Sequence, residues 1–248
     1  LCSGLRDAAK LAWKLDLVLG GRQDEILLDT YECERKTNVG QIIQLSVRLG
    51  SLICMADQAE VAERDAVMLR SAGRPGAPQE IPDSLASGLL HSETGGMRAG
   101  YAGSLLPQAR VTYDGRTGWF DELAGGGFVL LAREDPATLV DHDLRDFLRG
   151  LGTRFIQVVP PGGISASPGG RVFLDVEHKY LHWLASMRAL GVLVRPDFYL
   201  FGMGRDRAGV AAMVAGLRAC LDPGRALSKD IPGPPGTEPA GWQLDKSQ

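Results

Sequence analysis

Three small residues, Cys2, Ser3 and Gly4, open directly into a helical pattern, and that junction is the part of this chain best suited to chemistry. Leu5, Ala8, Leu11, Ala12 and Leu15 recur at helical spacing, which places Ser3 as an N-cap. The first turn of a helix offers N–H groups without acceptors and a partial positive charge. It therefore suits a phosphate, a carboxylate or an electron-rich ring carbonyl. Other residue sets promise less. His178 and His182 lie four apart with Asp175 nearby, but the Glu of an H-E-x-x-H motif and a third ligand are missing, so no metal site is expected. Arg195-Pro196-Asp197 could clamp an anion, yet reads more simply as an exposed charged turn with a salt bridge. His142, among Asp141, Asp143, Arg145 and Asp146, reads as a solvated helix start. No G-x-S-x-G elbow presents a serine, which argues against hydrolase chemistry, and the catalytic acid or base is unknown.

Composition narrows the class. The 248 residues are 44% hydrophobic and 23% charged, as in a globular protein of one large or two ordinary domains. A net charge of −3, without a basic cluster bearing aromatics, argues against a nucleic-acid partner. No apolar run approaches the ~20 residues that span a bilayer, so no membrane partner is expected. The four cysteines, Cys2, Cys33, Cys54 and Cys220, are scattered without a C-x-x-C pair. They read as reduced thiols in a cytoplasmic protein, with Cys2 a small packing residue rather than a nucleophile.

The elements that must position the N-terminal junction are helical. After the first helix and the Gly20-Gly21 break, patterning predicts helices over 26–36, 39–54 and 60–70. Ile42, Ile43, Leu45, Val47, Leu49 and Leu52 form an apolar face that a core must cover. Residues 73–100, rich in Gly, Pro and Ser, read as a connecting segment. Beyond them a turn and short helix are predicted over 117–123, and strands over 128–132, 154–159, 171–174, 192–195 and 199–202. Helices are predicted over 141–151, 179–189 and 207–221. Strands alternating with helices give an α/β layer fold. The Pro- and Gly-rich residues after 225 read as a flexible tail.

Longer motifs go further. Cys2-Ser3-Gly4-Leu5-Arg6-Asp7-Ala8-Ala9 with Leu11-Ala12-Trp13-Lys14-Leu15, followed by Asp29-Thr30-Tyr31-Glu32-Cys33-Glu34-Arg35, resembles the last motif of the FAD-dependent aromatic-ring monooxygenases and their D-x-Y-E-x-E-R. The resemblance is to the 3-(3-hydroxyphenyl)propionate hydroxylase-like branch. Gly103-Ser104-Leu105-Leu106-Pro107-Gln108-Ala109-Arg110-Val111 is similar to that branch's G-x-L-x-P-Q-x-x-V. Val194-Arg195-Pro196-Asp197-Phe198-Tyr199 is similar to a hairpin of its thioredoxin-like C-terminal domain. Two positions depart from the family: Lys10 replaces the usual Asn, and Lys36-Thr37 replaces x-Pro. Lys10 is expected on the solvent face.

The resemblance implies residues 1–72 as the helical C-terminal part of an FAD/NAD(P)-binding hydroxylase domain and 101–224 as a thioredoxin-like α/β domain without C-x-x-C. It implies FAD as cofactor, NAD(P)H as co-substrate, a small phenolic or aromatic acid as substrate, and flavin contacts at Leu1, Cys2, Ser3 and Gly4. Trp13 and Tyr31 would pack against the sheet of the flavin domain, and Arg6 and Asp7 would contact the flavin side or pair within the helical layer. No G-x-G-x-x-G follows a strand, and Met55 is the first methionine, so the chain is expected to be a fragment that binds flavin weakly and associates through an apolar face. Two alternatives remain: a non-catalytic thioredoxin-like interaction or dimerisation module, and a hydroxylase of a polyketide or antibiotic. A homo-oligomer is compatible with each.

Overall fold

Helical spacing of apolar residues carries through the first part of the chain. The computed structural model, which describes residues 2–71, 84–92, 100–163 and 170–222, has three helices there: α1 (Cys2–Leu19), α2 (Ile26–Ile53) and α3 (Gln58–Ser71). Leu1, the tail after 225 and most of the connecting segment lie outside the described residues. The helix predicted to break near 37 instead runs unbroken as α2, because Lys36-Thr37 puts no proline there to stop it. Ser3 lies inside the first turn of α1 rather than capping it. The apolar face predicted on the second half of α2 is not covered: Ile43, Val47, Leu49 and Leu52 are exposed. Only the first half of α2 is buried, through Leu27, Thr30, Glu34, Arg35 and Asn38.

From Arg110 the period changes to two. β1 (Arg110–Tyr113) and β2 (Arg116–Trp119) form a hairpin whose turn residues, Asp114 and Gly115, both have positive φ (49° and 73°). That is what a two-residue Asp-Gly turn requires, so the turn and helix predicted over 117–123 is in fact β2 followed by the short helix α4 (Phe120–Ala124). Next come β3 (Val129–Ala132), α5 (His142–Gly150), β4 (Arg154–Val159), β5 (Arg171–Leu174), α6 (Lys179–Ser186), β6 (Gly191–Val194), β7 (Leu200–Gly204) and α7 (Arg207–Cys220). They build one seven-stranded sheet in the order β2-β1-β5-β4-β3-β6-β7. β3, β4 and β5 are parallel, and the other pairings are antiparallel.

Both faces of the sheet are covered, which is why β3 and β6 read as continuous apolar runs. Leu130, Ala132, Leu193 and Phe201 face α5, α7 and α1, where they meet Leu148, Met213, Leu217, Trp13 and Leu17. Val129, Leu131, Val192 and Val194 face the other way, onto Phe120, Tyr180 and Leu184. Trp13 packs edge-on against Phe128, with centroids 5.6 Å apart. It is therefore a core residue, as expected, but of this α/β body rather than of another domain's sheet. Tyr31 is only half-buried.

The connecting segment is tied down where it is described. His91 N donates to Phe201 O at 2.7 Å and Leu85 N to Gly103 O at 2.8 Å, while Leu85, Leu89 and Leu90 are buried.

Candidate functional site

Two features of α1 define the site: an acid-free first turn and a body locked into the α/β core. The first turn carries no acidic residue, so nothing on the helix offsets the partial positive charge of its N–H groups. Gly4 is exposed, and a Cβ built there would meet no atom within 4 Å. Further along, helical periodicity turns Lys10, Trp13, Lys14 and Leu17 inward, and all four are buried.

Burying two lysines requires acids, and these come from distant parts of the chain. Glu34 on α2 receives Lys14 Nζ at 3.1 Å. Arg195, at the end of β6, binds the same carboxylate with both terminal nitrogens, Nη1 to Oε1 at 2.8 Å and Nη2 to Oε2 at 2.7 Å. Its Nε and Nη2 also hold Asp197, at 3.0 and 2.7 Å. Leu89 completes the ring of contacts: its N–H donates to Glu34 at 3.0 Å and its carbonyl accepts from Arg195 at 3.0 Å. Lys14 is satisfied a second time by Thr30 Oγ1 at 2.6 Å, which itself donates to Leu27 O at 2.7 Å. The guanidinium carbon of Arg195 lies 5.3 Å from the Trp13 ring centroid. Four segments, α1, α2, residues 84–92 and the β6–β7 turn, thus meet at one carboxylate.

Electrostatics favour the ionised clamp. Burial works to raise the Glu34 pKa, but Arg195, Lys14 and the Leu89 N–H outweigh it and hold the carboxyl down at about 2. Burial opposes the Arg195 charge, yet Asp197 and Glu34 leave its pKa raised. Lys14 is lowered, since its burial exceeds the attraction of Glu34. Lys10 differs. Its Nζ has no hydrogen-bond partner among the described residues and sits 4.3 Å from the Tyr199 ring centroid. Burial, opposed by Asp197 and Glu34, brings its pKa down to about 8.

Several expectations change here. Lys10 is 1% exposed rather than on the solvent face, because it lies on the buried stripe of α1. Arg195 and Asp197 do form the expected salt bridge at a turn, but a buried one, since α1, α2 and Leu89 close over it. Asp7 pairs with Arg35 on α2, the within-layer alternative. Asp175 spends both carboxylate oxygens capping α6, on Lys179 N at 3.1 Å and Leu181 N at 2.8 Å, beside an exposed His178 and His182. Glu34 and Lys14 belonged to the motifs that carry the resemblance, but nothing local marked them as partners of Arg195. Cys2 and Ser3 stand in the first turn of α1 with Gly4 next to them; Leu1 is outside the described residues.

Comparison with known proteins agrees with this layout. Residues 1–46 match the FAD binding domain family and residues 103–219 the HcaD C-terminal domain family. The chain is 36% identical over 226 residues to a probable NADH-specific resorcinol 4-hydroxylase of Rhodococcus jostii, covering 90% of this chain and 40% of that protein. It is 33% identical over 167 residues to a 3-(3-hydroxy-phenyl)propionate/3-hydroxycinnamic acid hydroxylase of Mycobacterium sp. (strain KMS), covering 64% of this chain and 29% of that one. The chain thus spans well under half the length of these relatives. Among solved structures, aklavinone-11 hydroxylase in complex with FAD and aklavinone is similar in fold. Its TM-score is 0.57 at 22% identity, over 89% of this chain and 40% of that one. The flavin-dependent monooxygenase PieE matches with a TM-score of 0.55 at 21% identity, over 87% of this chain and 44% of that one. Among the described residues no single helix is long and apolar enough to cross a membrane. The chain is thus similar to aromatic-ring hydroxylases along most of its length, with an FAD binding domain match at its start and a HcaD C-terminal domain match from residue 103.

Proposed function

We propose that the protein acts as an FAD-dependent monooxygenase that hydroxylates a small phenolic or aromatic acid substrate with NAD(P)H and O2. The observation that carries this reading is the acid-free first turn of α1, with no atom crowding Gly4, within the motif that resembles the family's flavin segment. The residues present fit a flavin: backbone N–H groups at Leu1, Cys2, Ser3 and Gly4 would hold negative charge on the pyrimidine edge of the ring. When bound, FAD accepts hydride from NAD(P)H and activates oxygen for transfer to the substrate. The chain's own part is to present those N–H groups from a helix that the Lys14–Glu34 ion pair anchors to α2. The names of the Rhodococcus and Mycobacterium relatives make resorcinol and 3-(3-hydroxyphenyl)propionate the substrates to try first, with NADH as reductant.

Residues 1–72 would form part of the FAD-binding domain, 73–100 its connection and 101–224 a thioredoxin-like domain. What supports the last is a parallel β3–α5–β4 unit beside an antiparallel β6–β7–α7 unit, with the strands ordered β4-β3-β6-β7. The chain has no C-x-x-C, so that shape would serve packing rather than dithiol chemistry. Its scattered free thiols suit a cytoplasmic setting.

The test is FAD titration of the full-length protein by flavin fluorescence, and then NADH oxidation with each substrate. Tight flavin binding with substrate-stimulated, hydroxylating NADH oxidation is expected. A full-length protein that binds no flavin sinks the proposal.

A further inference from the structure

A cleft of about 600 Å3 opens at the end of the sheet opposite the Arg195 turn, lined by Arg133, Glu134, Arg188 and Arg205 around an apolar wall of Ala185, Ala189 and Leu190. We propose that it binds a phosphate-bearing small molecule, an oligophosphate by chemical class, through the three arginines.

Strand register brings the arginines together. Ala132 at the end of β3, Gly191 at the start of β6 and Gly204 at the end of β7 are paired across the sheet. The next residues out are Arg133, whose N–H donates to Leu190 O at 3.4 Å, and Arg205, adjacent to Gly204, the acceptor of the Leu190 N–H at 2.8 Å. Two strand spacings put the backbones of Arg133 and Arg205 about 10 Å apart, flanking the residues that enter β6. Arg188, between α6 and β6, supplies the third guanidinium.

The conformation of Arg188 is the most telling feature. α1, α5 and α6 end in the same paired hydrogen-bond motif: Arg22 N to Leu17 O with Gly21 N to Val18 O, Thr153 N to Leu148 O with Gly152 N to Arg149 O, and Ala189 N to Leu184 O with Arg188 N to Ala185 O. The left-handed position of that motif holds Gly21 (φ 65°) in α1 and Gly152 (φ 72°) in α5, as its geometry favours. In α6 it holds Arg188 at φ 53°. A side chain there strains the backbone, and this one belongs to a residue that lines the cleft.

Among the described residues none of Arg133, Arg188 and Arg205 has a carboxylate partner, whereas Glu134 is held by Arg207 at 3.2 Å and Asp206 caps Gly209 N at 2.7 Å. Three guanidinium groups lining one cleft offer planar forks that suit phosphate oxygens, and more than one phosphate is needed to balance their charge. The cleft volume falls in the range of small-molecule sites.

The test is calorimetric titration of the full-length protein with pyrophosphate at fixed ionic strength, with inorganic phosphate and chloride as comparison arms. Pyrophosphate should bind saturably, and phosphate about tenfold or more weakly, because it engages fewer guanidinium groups. R133S and R205S should each weaken pyrophosphate about tenfold while leaving Tm close to wild type. R188G separates ligand from fold: it should abolish pyrophosphate binding and raise the Tm of the unliganded protein, since glycine relaxes the left-handed turn. Pyrophosphate bound no better than chloride overturns the proposal, as does R188G that keeps wild-type affinity. R188G that lowers the unliganded Tm makes Arg188 a structural cap and overturns it equally.

Discussion

Glu34 and Arg195 lie 161 positions apart in the chain and meet in a fully buried, two-bonded pair, Oε1 to Nη1 at 2.8 Å and Oε2 to Nη2 at 2.7 Å. Removing either would leave the remaining buried charges, Asp197 with Arg195 or Lys14 with Glu34, out of balance and at a desolvation cost. Their union joins the helix next to the flavin-resembling motif to the β6–β7 turn. The N-terminal helices and the α/β body are therefore coupled by charge as well as by the contact of Trp13 with Phe128.

Glu34→Gln removes the carboxylate and leaves Arg195 and Lys14 with only Asp197 to balance them. A loss of about 3–5 kcal/mol is expected from urea unfolding. The acid limb should change too. The Glu34 carboxyl is held at about 2 against an ordinary 4.5, so its contribution is complete above pH 4.5 and fades as pH falls towards 2. Over that window the wild type should lose about 3 kcal/mol from this group, and the variant should lack that component. Identical acid profiles would show that the clamp does not hold the fold.

Lys10→Met should stabilise the protein. The Lys10 pKa is lowered from 10.5 to about 8, so below pH 8 the folded state bears a buried charge that is better solvated in the unfolded chain. Between pH 8 and 10.5 the folded state sheds this proton first, and wild-type stability should rise with pH. Loss of the contact with Tyr199 costs about 0.5–2 kcal/mol, leaving a net gain of about 1.5–3 kcal/mol at pH 7. Chemical denaturation of both proteins at pH 7, 9 and 10.5 checks this, and the variant should be flat where the wild type climbs.

Gly88→Ala tests the close approach of the connecting segment to the clamp. Gly88 has φ 99°, and a Cβ there would overlap Cγ and the carboxylate of Glu34. Either the backbone moves or Glu34 leaves Arg195, and a Tm drop equivalent to about 2–4 kcal/mol is expected. A variant within about 0.5 kcal/mol of wild type would mean that residues 84–92 do not seal the clamp.

Gly4→Asp places a negative charge in the acid-free first turn of α1. It should leave the fold intact, or favour the helix slightly, because acids suit a helix N-terminus. In the full-length protein it should weaken FAD by about tenfold through repulsion of the electron-rich ring edge. Unchanged flavin affinity with unchanged Tm would remove residues 1–4 from the cofactor site.

Periodicity alone determined most of the elements. The spacings of Lys179–Ser186 and Arg207–Cys220, the apolar runs of β3 and β6, and the scattered thiols were all legible, because each depends on neighbours a few residues away. Asp114-Gly115 carries a local signal too, a hairpin turn that outweighs the helical pattern of residues 117–123. The resemblance to aromatic-ring hydroxylases was readable from long motifs. The surroundings of single charges were decided only by the tertiary structure. Lys10 sits on the inward stripe of an amphipathic helix, yet lysine's usual preference for water argues for the surface. Its position became clear only once Tyr199, Glu34 and Asp197 closed around it. Likewise Arg195-Pro196-Asp197 has the sequence of an exposed turn and the environment of a core, since burial is a property of whatever folds over a residue. A local pattern sets which face a residue takes. What that face meets depends on chain segments brought from far away, and at Glu34 and Arg195 that meeting turns two ordinary charges into the lock of the fold.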